Sequence, residues 1–237
     1  SFRLLNKILF QKNRRVIFLS YDLKYFILVA LSLKIFNKKI YTIEHNTIPN
    51  TYLKKIIHYI LSFIVTKIVF TDYIKSIYPN NKKVTVINHP ITIKNCNKIS
   101  PSKTMNKLKI LNYDKIIFCP SFSSKFLKIK EAALNNPKYL FVTKKTNYDM
   151  PNNIIQAGFI EDYFEFLFHC DAVYVPFNHQ YRVSNVIFES IGLNKLILTE
   201  NSKFYNFLTD MKFDVFLISE LNNELFRKKI QNNTFDY

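Results

Sequence analysis

A chain of 237 residues, 48% hydrophobic and 16% aromatic, can pack one large domain or two small ones and lies far from a disordered composition. Its formal net charge of +17 favours anionic partners, yet only five of the 34 basic residues are Arg. Specific base and phosphate readers lean on Arg, so specific nucleic-acid recognition is not expected.

In chain order, residues 16–22 (VIFLSYD), 40–44 (IYTIE), 67–71 (KIVFT) and 84–88 (VTVIN) are short, β-branched and bounded by polar residues, which predicts strands. Helix-length segments, 23–36 and 52–65, lie between them. A second series follows at 115–119 (KIIFC), 139–143 (YLFVT), 153–157 (NIIQA), 172–177 (AVYVPF), 195–199 (KLILT) and 215–219 (VFLIS), again mostly separated by helical patterns. Continuous apolar strands alternating with helices predict parallel sheets covered on both faces, so the expected class is α/β with two Rossmann-like domains. Residues 96–109 are polar, lysine-rich and aperiodic, with Pro101, and are expected to link a first domain over 1–95 to a second over 110–237.

The chain begins on Ser1 rather than an initiator Met, so a fragment of a longer chain is an expectation, and no charged-then-apolar pattern precedes the first helix-like stretch. The very apolar stretches 25–36 and 56–70 are interrupted by Lys34 and Lys67 and fall short of about 20 clean residues. They are expected as buried elements or, with Lys54, Lys55 and His58 beside apolar neighbours, as an interfacial helix. The three cysteines, Cys96, Cys119 and Cys170, are odd in number and lack C-x-x-C spacing, which fits reduced core thiols in a cytosolic protein. Only two glycines occur, Gly158 and Gly192. Each is expected where the backbone needs one, Gly192 as the residue that ends a helix.

Ligands of open parallel sheets bind beyond the carboxyl ends of the strands, so the residues that follow each strand are the candidates. His45 and Asn46 follow one strand, residues 120–125 (PSFSSK) another, Gly158, Phe159 and Ile160 a third, and 178–185 (NHQYRVSN) a fourth. Ser184 and Asn185 precede a helical run and serve either as plain caps or as a phosphate-binding helix start, with Arg182 upstream. Lys125 opens another helix and is either a phosphate partner or a solvated charge. Glu189, one turn into an otherwise apolar helix, has the paired acceptors that suit the two hydroxyls of a ribose; a surface carboxylate is its plainer reading. Metal-ligand spacing, a P-loop, G-x-S-x-G and G-x-G-x-x-G are all missing from the sequence, which leaves hydrolase, NTPase and dinucleotide-oxidoreductase readings unsupported.

Three segments, NIIQAGFI (153–160), DAVYVPF (171–177) and SNVIFESIGLNKLILT (184–199), resemble the donor half of GT-B glycosyltransferases, in particular the large retaining family called glycosyl transferases group 1. Upstream, IYTIEHN (40–46) resembles the acceptor-domain strand that ends in a functional His, and KVTVINHPI (83–91) the strand that closes that domain. The resemblance implies a GT-B fold with its first domain incomplete, and transfer of a sugar from a nucleoside-diphosphate sugar to a cell-surface glycan or lipid-linked acceptor. It implies Glu189 on the donor ribose, Ser184 and Asn185 on the diphosphate with Lys125 and Arg182 nearby, and Gly158, Phe159 and Ile160 at the base. His45 falls beside the transferred sugar as the catalytic residue. Neither a metal nor a further cofactor is implied. The expected place is cytoplasmic, peripheral at the inner face of an anionic membrane. The chain departs from the family where Tyr181 replaces the first of its paired Glu, where Arg182 and Ser184 replace loop glycines, and where PSFSSK lacks the usual Gly-Arg. An inactive GT-B-like protein and a basic, non-enzymatic protein that binds nucleic acid or membrane are the alternatives.

Overall fold

The structure is a computed structural model that describes residues 8–19, 22–44, 52–78, 81–87, 102–107, 113–120, 126–144, 149–176 and 184–232. Two compact units divide the described residues, 8–87 and 102–232. Each is a parallel sheet with helices, as the alternation of apolar strands and helical segments predicts.

In the first unit the strands β1 (Arg15–Phe18), β2 (Lys39–Ile43), β3 (Thr66–Val69) and β4 (Val84–Val86) lie side by side in chain order, all parallel. Helices α1 (Leu23–Ile35), α2 (Tyr52–Ile64) and α3 (Asp72–Ile77) connect them. A core of Phe26, Ala30, Leu33, Ile40, Leu61 and Val65 joins α1 and α2 to the sheet.

The second unit begins with the short helix α4 (Lys103–Lys107) and continues as β5 (Lys115–Cys119), α5 (Phe126–Asn135), β6 (Tyr139–Lys144), β7 (Ile154–Ala157), α6 (Tyr163–His169), β8 (Ala172–Tyr174), α7 (Asn185–Gly192), β9 (Leu196–Thr199), α8 (Lys203–Asp210), β10 (Val215–Leu217) and α9 (Glu224–Asn232). Its six parallel strands run β7-β6-β5-β8-β9-β10 across the sheet. That is the doubly wound order, in which the direction of winding reverses between the first and fourth strands. All five residues of β5 are buried, as the uninterrupted KIIFC run requires of a central strand.

Two local expectations are corrected. Gly192 lies inside α7 as its last residue, and the left-handed position falls two residues later on Asn194, φ 56°. The amide of Asn194 donates to the Ile191 carbonyl at 3.0 Å and that of Lys195 to Ser190 at 2.9 Å, the paired bonds of a Schellman cap. Asn37 (φ 54°) after α1 and Lys212 (φ 61°) after α8 close their helices in the same way. Asn tolerates this conformation at modest cost, and Lys212 adopts it too, so three helices among the described residues are closed by a left-handed residue other than glycine. Gly158 is not placed by strain either: its φ is negative and a Cβ there would meet nothing within 4 Å.

The stretch 96–109, expected to be irregular, contains α4. Ser102 caps it, accepting from the Met105 amide at 3.2 Å, and donates its hydroxyl to Asp162 at 2.6 Å. Asp162 also accepts from the Thr104 amide at 3.1 Å and from its hydroxyl. Desolvation opposes ionisation of this carboxyl, but the hydrogen bonds from Ser102 and Thr104 outweigh it and hold the group down to about 2. The start of the second unit is thereby tied to the start of α6.

Candidate functional site

In a doubly wound sheet the ligand crevice lies outside the carboxyl ends of the two strands where the winding reverses, here β5 and β8. The loops that follow them, 121–125 and 177–183, carry Lys125 and Arg182 and lie outside the described residues, as does His45. The helices that follow, α5 and α7, both start at this end of the sheet, because each succeeds a strand that ends there.

Ser184 occupies the cap position of α7 with extended backbone (φ −100°, ψ 121°), but its hydroxyl makes no cap hydrogen bond. The reading of Ser184 as a plain side-chain cap is therefore not what the geometry shows. First-turn N–H groups have no intrahelical acceptor, and with the dipole they form a site for a negative group. Asn185 is the first helical residue.

Glu189 sits one turn further in and is half-buried, between the buried Phe188 and Ser190. Its Oε2 accepts the hydroxyl of Tyr163 at 3.1 Å. Tyr163 opens α6, and its ring meets Phe118 of β5 edge-on, 5.9 Å between centroids. Burial, and then the charge and hydrogen bond of Glu189, push the Tyr163 phenol well above its ordinary value, so it remains a donor at neutral pH. One winding-reversal strand, the helix after the other, and the start of α6 thus converge on one carboxylate. Oε1 of Glu189 and the remaining lone pair of Oε2 are left for further donors.

Just before α6, Gly158 and Phe159 are exposed, Phe159 at 92%, and Ile160 is half-buried. An aromatic this open beside a glycine offers a flat apolar face and accessible backbone. One strand further along, Glu200 follows β9, 5% exposed. Its Oε1 accepts the Tyr174 hydroxyl at 2.6 Å, and its Oε2 pairs with Lys128 of α5. Cys119 and Cys170 are buried free thiols that burial pushes up, out of the reactive range.

Six of the residues singled out from sequence, Gly158, Phe159, Ile160, Ser184, Asn185 and Glu189, lie in the second unit. The geometry adds Tyr163 and the Tyr174–Glu200–Lys128 group, which sequence reasoning missed. No periodicity marks partners 26 or 72 residues apart.

No protein-family model and no curated protein matches the sequence. Solved structures do match. Anabaena Alr3699/HepE in complex with UDP and glucose is similar at TM-score 0.74 and 14% identity, over 98% of this chain and 74% of that one. A glycosyltransferase from Rickettsia africae is similar at TM-score 0.66 and 17% identity, over 98% of this chain and 75% of that one. A UDP-N-acetylglucosamine 2-epimerase is similar at TM-score 0.57 and 13% identity, over 100% and 70%. With two parallel Rossmann-like sheets in one chain, the first the shorter, the protein has the GT-B fold.

Proposed function

We propose that the protein is a nucleotide-sugar-dependent glycosyltransferase whose donor nucleotide occupies the crevice beside β5 and β8. The observation that carries this reading is Glu189: a half-enclosed carboxylate, held by Tyr163, one turn behind a helix start that the Ser184 hydroxyl does not cap. A diphosphate on the first-turn amides of α7 leaves the attached ribose about one helical turn, roughly 5 Å, from Glu189. Fold alone does not select the reaction. The likeness to Anabaena Alr3699/HepE in complex with UDP and glucose and to a UDP-N-acetylglucosamine 2-epimerase supports the nucleotide-sugar class.

In this reading the protein positions donor and acceptor and stabilises the leaving diphosphate with helix N-termini and the cations Lys125 and Arg182. Phe159 and Ile160 meet the base. The retaining outcome, independence from metal and cofactor, and a cell-surface glycan or lipid-linked acceptor follow the family resemblance. Release of nucleoside diphosphate from a panel of UDP- and GDP-sugars tests the reaction class directly; binding of every donor without release in the presence of glycan and lipid acceptors is the result expected of an inactive relative.

His45 is the proposed catalytic residue beside the transferred sugar. His45→Ala is expected to lower kcat at least a hundredfold while nucleotide affinity stays within about twofold, because its contacts strengthen only in the transition state. Weak nucleotide binding with normal turnover would contradict the assignment.

A peripheral place on an anionic membrane fits the first unit. Among the described residues no helix is long and apolar enough to cross a membrane. On α2, however, Tyr52, Leu53, Ile56, Tyr59, Ile60 and Phe63 are all exposed at helical spacing, with Lys55 also exposed. Such a helix lies in the headgroup region with Lys55 toward acidic lipid; His58, expected among its basic flank, is instead buried against Lys67. The chain is expected to bind vesicles containing anionic lipid, more weakly as salt rises; equal partitioning onto neutral and anionic vesicles would remove the electrostatic argument.

A further inference from the structure

The second unit contains a cavity of about 310 Å³ that opens beyond the carboxyl ends of β9 and β10. One wall is a single face of α5, where Lys128, Glu131 and Asn135 recur at helical spacing. Asn201, from the loop after β9, and Ser219, from the turn after β10, stand on the other side. Between them lies the buried Glu200, fixed by the Tyr174 hydroxyl and by Lys128.

The chemistry of this lining is narrow. The Lys128 charge is matched by Glu200, which leaves Glu131 as the unbalanced charge, so a phosphate finds no surplus cation. No aromatic side chain lines the cavity, so a flat apolar group finds no stacking partner. What remains open is polar: Glu131, Asn135, Asn201 and Ser219 make no side-chain hydrogen bond among the described residues. A carboxylate and primary amides offer paired acceptors and donors two atoms apart, the spacing that meets vicinal hydroxyls. The volume is at the small end of the roughly 300–1,000 Å³ of ligand pockets, room for one sugar ring.

We propose that this cavity is a saccharide site, taking one hexose unit on Glu131, Asn135, Asn201 and Ser219 against the Glu200–Lys128 pair. Strands β9 and β10 lie one and two positions from β8, about 5 and 10 Å away, so the cavity is a neighbour of the nucleotide crevice, on the side away from β6 and β7, and shares the first turn of α5 with it. The choice of a sugar among neutral polyols rests on the nucleotide-sugar reading above. The ring is either a free monosaccharide or the terminal unit of a glycan.

Saturation-transfer NMR on the whole chain tests the site, with glucose, galactose, N-acetylglucosamine and a glucose oligomer as probes and inorganic phosphate as the anionic comparison. At least one saccharide is expected to bind saturably, and phosphate is not expected to compete with it. The double variant Asn135→Leu, Asn201→Leu should weaken that binding about tenfold or more, and the smaller change Glu131→Gln several-fold, with UDP affinity within about twofold. All three positions are exposed, so the fold should survive. Tighter binding of the oligomer than of the monomer assigns the terminal unit of a glycan; equal binding assigns the free sugar. Saccharide affinity unchanged in both variants, displacement by phosphate, or no saturable saccharide binding in the millimolar range overturns the site. UDP titrated into the same samples separates the two ideas: saccharide binding lost in the variants of a protein that ignores UDP keeps the cavity and sinks the nucleotide reading, and UDP binding without saccharide binding does the reverse.

Discussion

Glu189→Gln is expected to weaken nucleoside-diphosphate binding by about one to two orders of magnitude while leaving the melting temperature nearly unchanged. Charge-assisted hydrogen bonds are worth roughly 1.5–3 kcal/mol each, and 1.4 kcal/mol is a factor of ten. Tyr163 already donates to one oxygen of Glu189 at 3.1 Å, so the carboxylate is turned before ligand arrives and its remaining acceptors can take both ribose hydroxyls. Gln cannot do both. With its carbonyl toward Tyr163 it points an NH₂ at the diol; reversed, it faces Tyr163 with a donor. The half-buried carboxylate makes little core contact, so folding should cost no more than about 0.5 kcal/mol. Tyr163→Phe, which removes the hydroxyl but keeps the edge-on contact with Phe118, should weaken nucleotide binding several-fold. If Glu189 were merely structural, Gln would lower the melting temperature of the ligand-free protein and leave nucleotide affinity intact.

The first unit should be acid-labile because of one histidine. His58 of α2 is 6% exposed and accepts a hydrogen bond from the ammonium of Lys67, itself 2% exposed in β3. Burial, and then the Lys67 charge, drive the imidazole down to about 3. Below its ordinary value of 6.5 the unfolded chain takes up a proton that the native one refuses, so the unfolded state binds more protons and stability falls as pH falls from 6.5 towards 3. The slope is about 1.4 kcal/mol per pH unit, about 5 kcal/mol over the window. Lys67 behaves differently. Burial lowers it to about 8, against the attraction of Glu44, so its cost is constant below that value and is relieved only as pH rises from about 8 towards 10.5. Urea unfolding of wild type and His58→Gln at pH 7 and 4.5 checks this. Wild type is expected to lose about 3 kcal/mol more than the variant on acidification, and its imidazole NMR signal should not titrate above pH 4. Parallel pH profiles, or a His58 midpoint near 6.5, would refute the account.

The alternation of β-branched runs and helical segments made the ten strands among the described residues legible, most cleanly where a strand is buried throughout, as β5 and β9 are; β1, at a sheet edge, is half exposed. Their ends were less so: 172–177 was expected, and β8 is Ala172–Tyr174. Gly192 misled because glycine is the usual helix-ending residue, whereas Asn194 supplies the left-handed position here. Helix α4 was invisible in a polar, lysine-rich stretch because its cap partner, Asp162, is 60 residues from Ser102. Lys67 counted as an interruption of an apolar run, yet it is among the most buried side chains, with its ammonium on His58 and 4.5 Å from the Tyr78 ring. Thr42 donates to Glu44 beside it at 2.7 Å. Satisfied buried charges are products of tertiary pairing, and no local pattern announces them. Glu189 was legible as a carboxylate one turn into a helix; its orientation by Tyr163 was not.

Calorimetric titration of the wild-type chain with UDP and with GDP, and with a DNA oligomer alongside, tests the central claim most directly. The site at α7 predicts saturable one-to-one binding of at least one of the two nucleotides and only weak, strongly salt-dependent association with the DNA. Heat from the DNA alone, with neither nucleotide bound at millimolar concentration, would contradict a donor-nucleotide site and leave a basic, non-enzymatic protein in its place.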